Sequence, residues 1–126
     1  MSWQAYVDHH LIGSGKITRA VILGQRGGVW AHSIGYELST QEQRTVSDAY
    51  NDRDHVLNSG LELAGRKFFT LSTNPRSIYL KARADGAIVV KTTQAIIVAE
   101  YGAPVQHLEA AKVVEELADY LISVTY

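Results

Sequence analysis

Trp3, Tyr6, Trp30, Tyr120 and Tyr126 are the residues of this sequence best equipped for recognition chemistry. Each offers a flat apolar ring with one polar tip. A set of such rings on one surface suits a polyproline helix, which is preformed and so loses little entropy on binding. Its rings stack on Trp and Tyr, while indole N–H and phenol O–H groups bond its exposed carbonyls. Against this stands the plainer reading that the five are core and rim residues in unrelated places.

Catalytic chemistry has no comparable set. His9, His10, His32, His55 and His107 include no i, i+4 pair and no carboxylate at metal-ligand spacing. They read as scattered surface residues, so neither a metal nor a cofactor is expected. No serine sits in a G-x-S-x-G elbow. Gly13-Ser-Gly-Lys16 has the look of a phosphate loop, but His10 and Ile17 occupy positions where that motif requires Gly and Ser or Thr. Glu115 and Glu116 read as part of a solvated helix face. An enzyme is not expected.

A second candidate surface is basic: Arg66, Lys67, Arg76, Lys81, Arg83 and Lys91, spread over successive strand segments. It suits an acidic protein surface or an anionic lipid headgroup, and the alternative is an ordinary solvated sheet face. The formal charge of −1 supplies no global field for nucleic acid.

These groups have to be positioned by elements that the patterning outlines. Ser2–Leu11 reads as a helix capped by Ser2, with Trp3, Tyr6, Val7 and His10 along one face. Ile17–Leu23 and Val29–Ser33 flank the glycine-rich turn Gly24-Gln-Arg-Gly-Gly28, which predicts a hairpin. Ser39-Thr-Gln-Glu42 is a capping box, and its helix runs to about Tyr50, where Asn51-Asp-Arg-Asp54 ends it. Leu61 and Leu63 alternate like an edge strand, and Gly65 turns the chain into Lys67–Leu71. Asn74-Pro75 marks a turn, and Asp85-Gly86 predicts a hairpin between Ser77–Ala82 and Ala87–Thr92.

Ala95-Ile-Ile-Val-Ala99 has no polar alternation and needs cover on both faces. From Pro104 to Tyr126 a long helical pattern follows, opened by the proline. Its apolar arc, through Ala110, Val114, Leu117 and Leu121, spans roughly 200°, wider than the ~100° one core face requires. The expected architecture is therefore α+β. A central antiparallel sheet carries the N- and C-terminal helices on one face and a shorter helix or helices on the other.

At 126 residues, 46% apolar and 20% charged, the chain reads as one globular domain spanning residues 1–126. It has no cysteine, which excludes disulfides and thiolate sites and fits a reducing compartment. The N-terminus lacks a secretory pattern, and no apolar run approaches 18 residues. The expectation is a cytoplasmic monomer.

Several segments, taken together and in order, resemble profilin of the fungal or lower-eukaryotic type. They are Met1-Ser-Trp-Gln-Ala-Tyr-Val7, Val29-Trp-Ala31, Gly65-Arg-Lys-Phe68, Arg76-Ser-Ile-Tyr79 and Ala118-Asp-Tyr-Leu121 through Tyr126. The resemblance covers the whole chain. It implies a protein that binds monomeric actin, promotes its nucleotide exchange and delivers it to proline-rich partners such as formins, regulating polymerisation in the actin cytoskeleton. It implies polyproline contacts at Trp3, Tyr6, Trp30, Tyr120 and Tyr126. Actin contacts are implied at Lys67, Arg76, Lys81, Val105, Lys112 and Glu116, and phosphatidylinositol 4,5-bisphosphate contacts at Arg76 and Lys81.

Lys112 and Glu116 would then lie on a different face of the last helix from Tyr120 and Tyr126. Ser72 stands where many relatives carry Arg, Leu80 where Gly is usual, and Asn74-Pro75 is unusual in its turn. All three departures fall on the inferred actin and lipid side, which implies weaker binding there. The alternative is a helix–sheet–helix module for a phosphoinositide or other ligand, with reduced actin binding.

Overall fold

The computed structural model describes residues 2–126, so the Met1 that opens the first motif lies outside it. Seven strands form one sheet: β1 (Arg19–Gly24), β2 (Val29–His32), β3 (Leu61–Leu63), β4 (Arg66–Thr73), β5 (Ser77–Ala82), β6 (Asp85–Lys91) and β7 (Ala95–Tyr101). Their order is β2-β1-β7-β6-β5-β4-β3, and every neighbouring pair is antiparallel. The apolar run around Ile96–Val98 belongs to β7, an interior strand between β1 and β6 that is buried along its whole length. Its alternate residues serve two cores. Ile97 and Ala99 pack under the terminal helices, whereas Ile96 and Val98 pack under α2 (Thr40–Ala49) and α3 (Arg53–Ser59).

The N-terminal helix begins as α1 (Trp3–Ala5), with the Ser2 hydroxyl accepting from the Ala5 amide at 3.1 Å. It then widens to a π-helical stretch, Tyr6–Leu11, and tightens to a 3₁₀ turn, Ile12–Ser14. The expected i, i+3, i+4, i+7 stripe is split as a result. Val7 and Leu11 are fully buried, Tyr6 is almost so, and Trp3 and His10 stay at the rim. Wider turns of this kind concentrate where a helix is bent to serve a surface.

Three boundaries differ from expectation for identifiable reasons. The Asn51–Asp54 segment does not simply end a helix, because Asp52 caps α3 by accepting from the His55 amide. Asp85 and Gly86 lie inside β6, and the turn itself is Arg83-Ala84, with Ala82 paired to Asp85. Gly86 is required by packing: a Cβ there would sit 2.4 Å from the Tyr101 ring. Pro104 does not open the last helix. It follows a cis peptide, and α4 (His107–Ser123) starts three residues later with Gln106 and Glu109 as a reciprocal cap.

The Ser39–Glu42 capping box is present as expected, with Ser39 N to Glu42 Oε1 at 2.8 Å. The other Glu42 oxygen accepts from Gly65 N at 2.8 Å and so ties α2 to the β3–β4 turn. Burial disfavours the Glu42 charge, but the amide donors outweigh it and hold the carboxyl below its ordinary range. No helix among the described residues is long and apolar enough to cross a membrane.

Candidate functional site

The five aromatics meet. Trp3 is the hub, with ring centroids 4.6 Å from Trp30, 5.2 Å from Tyr126 and 5.6 Å from Tyr6. Tyr6 continues the line to Tyr120 at 6.1 Å. All of these separations fall within the range of favourable aromatic pairing. Tyr120 and Tyr126 keep about half their surface in solvent, and both Trp residues are half-buried. The result is an open groove walled by rings.

The first helix, Trp30 and the chain end are each anchored behind the rings. The Gln4 side chain donates to the His32 carbonyl at 2.8 Å, which docks the first helix on β2. Trp30 lies over Gly24, where a Cβ would be 2.6 Å from the indole nitrogen. The chain end is clamped by the β6–β7 turn: Tyr126 O accepts from Thr92 Oγ1 at 2.7 Å, and Gln94 Nε2 donates to Thr125 O at 2.9 Å. Burial, then the neighbouring Tyr120 hydroxyl, raises the Tyr6 phenol above its ordinary range, so it remains a neutral donor.

At the Tyr120 end the groove opens into a cavity of about 510 Å³, lined by Tyr6, His10, Val113, Glu116, Leu117 and Tyr120. His10, its ring 5.4 Å from Tyr6, belongs to this wall. It shares the sequence stripe of Trp3, Tyr6 and Val7 on the first helix. Glu116 is in the cavity too, contrary to the expectation that it and Tyr120 lie on different faces. Four residues apart, they stack as neighbours on one side of α4.

The other flank of α4 carries a polar clamp. Arg76 Nε donates to Glu115 Oε1 at 3.0 Å, and its Nη1 reaches Asp119 at 2.8 Å. Ser77 Oγ donates to Glu115 Oε2 at 2.7 Å, and the Tyr79 hydroxyl donates to the same oxygen. Glu115 is thus no solvated residue, because Arg76 and two residues of β5 bring three donors to it. Burial works against the Arg76 charge, yet Asp119 and Glu115 outweigh it and hold the group above its ordinary value. Burial and the Glu115 carboxylate push the Tyr79 phenol up to about 12.

The basic residues do not form one patch. Arg66 is paired with Asp85 at 2.9 Å. The Lys91 ammonium sits 5.1 Å from the Tyr50 ring centroid, on the α2 side of the sheet. Arg76 is neutralised by two carboxylates. Lys67 is exposed on β4, and Lys81 pairs with Phe69 on the terminal-helix face. Lys112 rides the outer ridge of α4, and Val105 packs at the core edge before it.

Two residues absent from the sequence reading stand out here: Phe69 and Leu71 on β4, 67% and 53% exposed. Their neighbours in sequence alternate weakly, and on β4 they lie beyond α4, which packs over β6 and β7. Of the departures in this region, Leu80 is fully buried under α2 and α3 and touches no outer surface. Among the described residues no cluster of His, Cys, Asp or Glu is arranged to hold a metal.

Comparison with known proteins settles the family. The profilin family model matches residues 1–126. The chain belongs to the profilin family. Like profilins generally, it is an actin-monomer-binding protein and not an enzyme. It is 46% identical over 122 residues to profilin-1A of Acanthamoeba castellanii, covering 97% of each chain. It is 45% identical over 127 residues to the profilin of Schizosaccharomyces pombe, covering all of both. The crystal structure of the S. pombe profilin superposes with a TM-score of 0.96 over 99% of this chain and 100% of that one, at 44% identity. Mouse profilin IIa, solved in complex with a double repeat from the FH1 domain of mDia1, shares the fold. Its TM-score is 0.83 at 21% identity, with both chains covered completely.

Proposed function

We propose that the groove between the N-terminal helix and α4 binds proline-rich segments of formin-like partners, through Trp3, Tyr6, Trp30, Tyr120 and Tyr126. The observation that carries this reading is the unbroken line of ring contacts from Tyr120 through Tyr6 and Trp3 to Trp30 and Tyr126. Tyr120 and Tyr126 are half in solvent, and the first helix, Trp30 and the chain end are anchored, so little ordering is left to be done on binding. The FH1 repeat bound to the mouse relative supports the choice of ligand class.

Actin then binds across β4, β5 and the start of α4. Exposed Phe69 and Leu71 supply apolar anchors, and Lys67, Lys81, Val105 and Lys112 surround them. Arg76 acts here through Glu115, by fixing α4 on β5, and Glu116 lies on the proline side. A phosphoinositide headgroup would meet Lys81, since Arg76 is already neutralised. With two separate surfaces, one monomeric domain promotes nucleotide exchange on actin and hands it to a proline-rich partner in the cytoplasmic actin cytoskeleton.

Retention on immobilised polyproline and Trp fluorescence titration with a decaproline peptide test the groove, while the rate of actin nucleotide exchange tests the second surface. Trp3→Ala and Tyr126→Ala are expected to lose peptide binding and keep actin exchange. Intact peptide binding in both variants would overturn the groove as drawn.

A further inference from the structure

Arg26 is the exposed cationic residue of the glycine-rich β1–β2 turn, and it lines two cavities that the aromatic groove does not account for. The first, of about 490 Å³, begins at Trp30 and is completed by Gln25, Arg26, Thr93 and Gln94. It therefore continues the groove beyond the Trp3–Trp30 pair. The second, of about 330 Å³, lies behind it between the turn and α2, with Arg26, Thr40, Gln43, Arg44 and Ser47 in its wall. None of the residues lining either cavity is acidic.

Arg19, Arg66 and Arg76 each hold a carboxylate within 2.9 Å, whereas Arg26 and Arg44, like Arg53 and Arg83 elsewhere, have no ion-pair partner among the described residues; only Arg26 and Arg44 share a cavity wall. The Tyr126 main-chain oxygen at the inner rim already accepts from Thr92 and from the Gln94 amide. Thr93 shares the first cavity's wall with Arg26, and Thr40 shares the second with Arg26 and Arg44, so each cavity pairs a guanidinium with a hydroxyl that can donate to an anion.

We infer that this end of the groove reads acidic residues flanking the proline run of a partner, with Arg26 meeting the first carboxylate and Arg44 the next. The inference rests on the proline-rich reading of the groove. A polyproline chain advances about 3.1 Å per residue, so a segment leaving Trp30 enters the Arg26 cavity within one or two residues of its last stacked proline. The charge is complementary and the site lies at the mouth of the groove, where a paired carboxylate adds selectivity more than bulk affinity.

The test compares decaproline peptides carrying two glutamates after the prolines, two before them, or glutamines in the same places, titrated against the full chain by Trp fluorescence. At low salt, one of the two acidic arrangements should bind about three- to tenfold tighter than its glutamine control. The advantage should shrink as salt rises to 0.5 M and vanish in Arg26→Ala/Arg44→Ala. Plain decaproline should bind wild type and variant equally. Equal binding of acidic and glutamine peptides, or an advantage that survives in the double variant, would overturn the inference. Failure of plain decaproline to bind at all would instead strike the groove reading. If the double variant lost binding to phosphatidylinositol-containing vesicles while the acidic peptides showed no advantage, the site would belong to a lipid headgroup, and the peptide inference would fall.

Discussion

Arg76 Nε lies 3.0 Å from Glu115 Oε1, and this contact joins the approach to β5 to the middle of α4. The same carboxylate takes the Ser77 and Tyr79 hydroxyls. One acidic side chain thereby aligns the helix that carries Tyr120 on one flank and meets the proposed actin surface on the other.

Glu115→Ala would leave the Arg76 guanidinium and two hydroxyls short of an acceptor. Breaking a half-buried, charge-assisted network of this kind costs about 1–3 kcal/mol. Urea unfolding should show a midpoint shift at unchanged m-value. An unchanged midpoint would mean that Asp119 alone holds Arg76.

Gly24→Ala tests how the groove is held. The added methyl meets the Trp30 indole at 2.6 Å, so the ring has to shift. Peptide affinity should fall about tenfold, equivalent to ~1.4 kcal/mol, with a changed Trp emission spectrum. Far-UV circular dichroism should stay the same. Full affinity in this variant would show that Trp30 has room to move without consequence.

Phe69→Ala removes a ring that is 67% exposed, so folding stability should change little. An apolar anchor at the centre of an interface is worth about 2 kcal/mol, and actin affinity should drop some 30-fold. Peptide binding should be unaffected. The two titrations on one variant distinguish a lost contact from a damaged fold.

Acid should loosen α2 from the sheet. Glu42 has its carboxyl held below the ordinary value in the folded chain, chiefly by the Gly65 and Ser39 amides acting against burial. Its contribution is therefore complete above the unfolded value of about 4.3 and is lost as pH falls through the lower folded value. His107 acts in the same direction at higher pH. Burial, then Lys81, depresses it, so the unfolded chain takes up a proton first and stability declines as pH drops below about 6.5. In Glu42→Gln the acid limb of the stability curve should flatten, and in His107→Gln the limb near pH 6. Unchanged curves would show that other groups dominate.

Much of this molecule was written in local pattern. The Ser39–Glu42 box, the all-apolar Ala95–Ala99 strand and the arc of α4 report their burial through periodicity, because each is dictated by which side must leave water. The aromatic set was legible as five residue types at two chain ends and one strand. Profilin-like motifs named its purpose.

Only the tertiary structure decided how those pieces meet. Trp3 and Tyr126 are 5.2 Å apart because the β6–β7 turn captures the chain end, a contact between residues with no local signal for each other. Glu115 became a hub because Arg76 and the first residues of β5 bring three donors to it, and Phe69 and Leu71 stayed bare because α4 packs over β6 and β7 and not over β4. Sequence periodicity records which face of an element is dry. It does not record which distant polar group completes a carboxylate, or which apolar ring is left without cover.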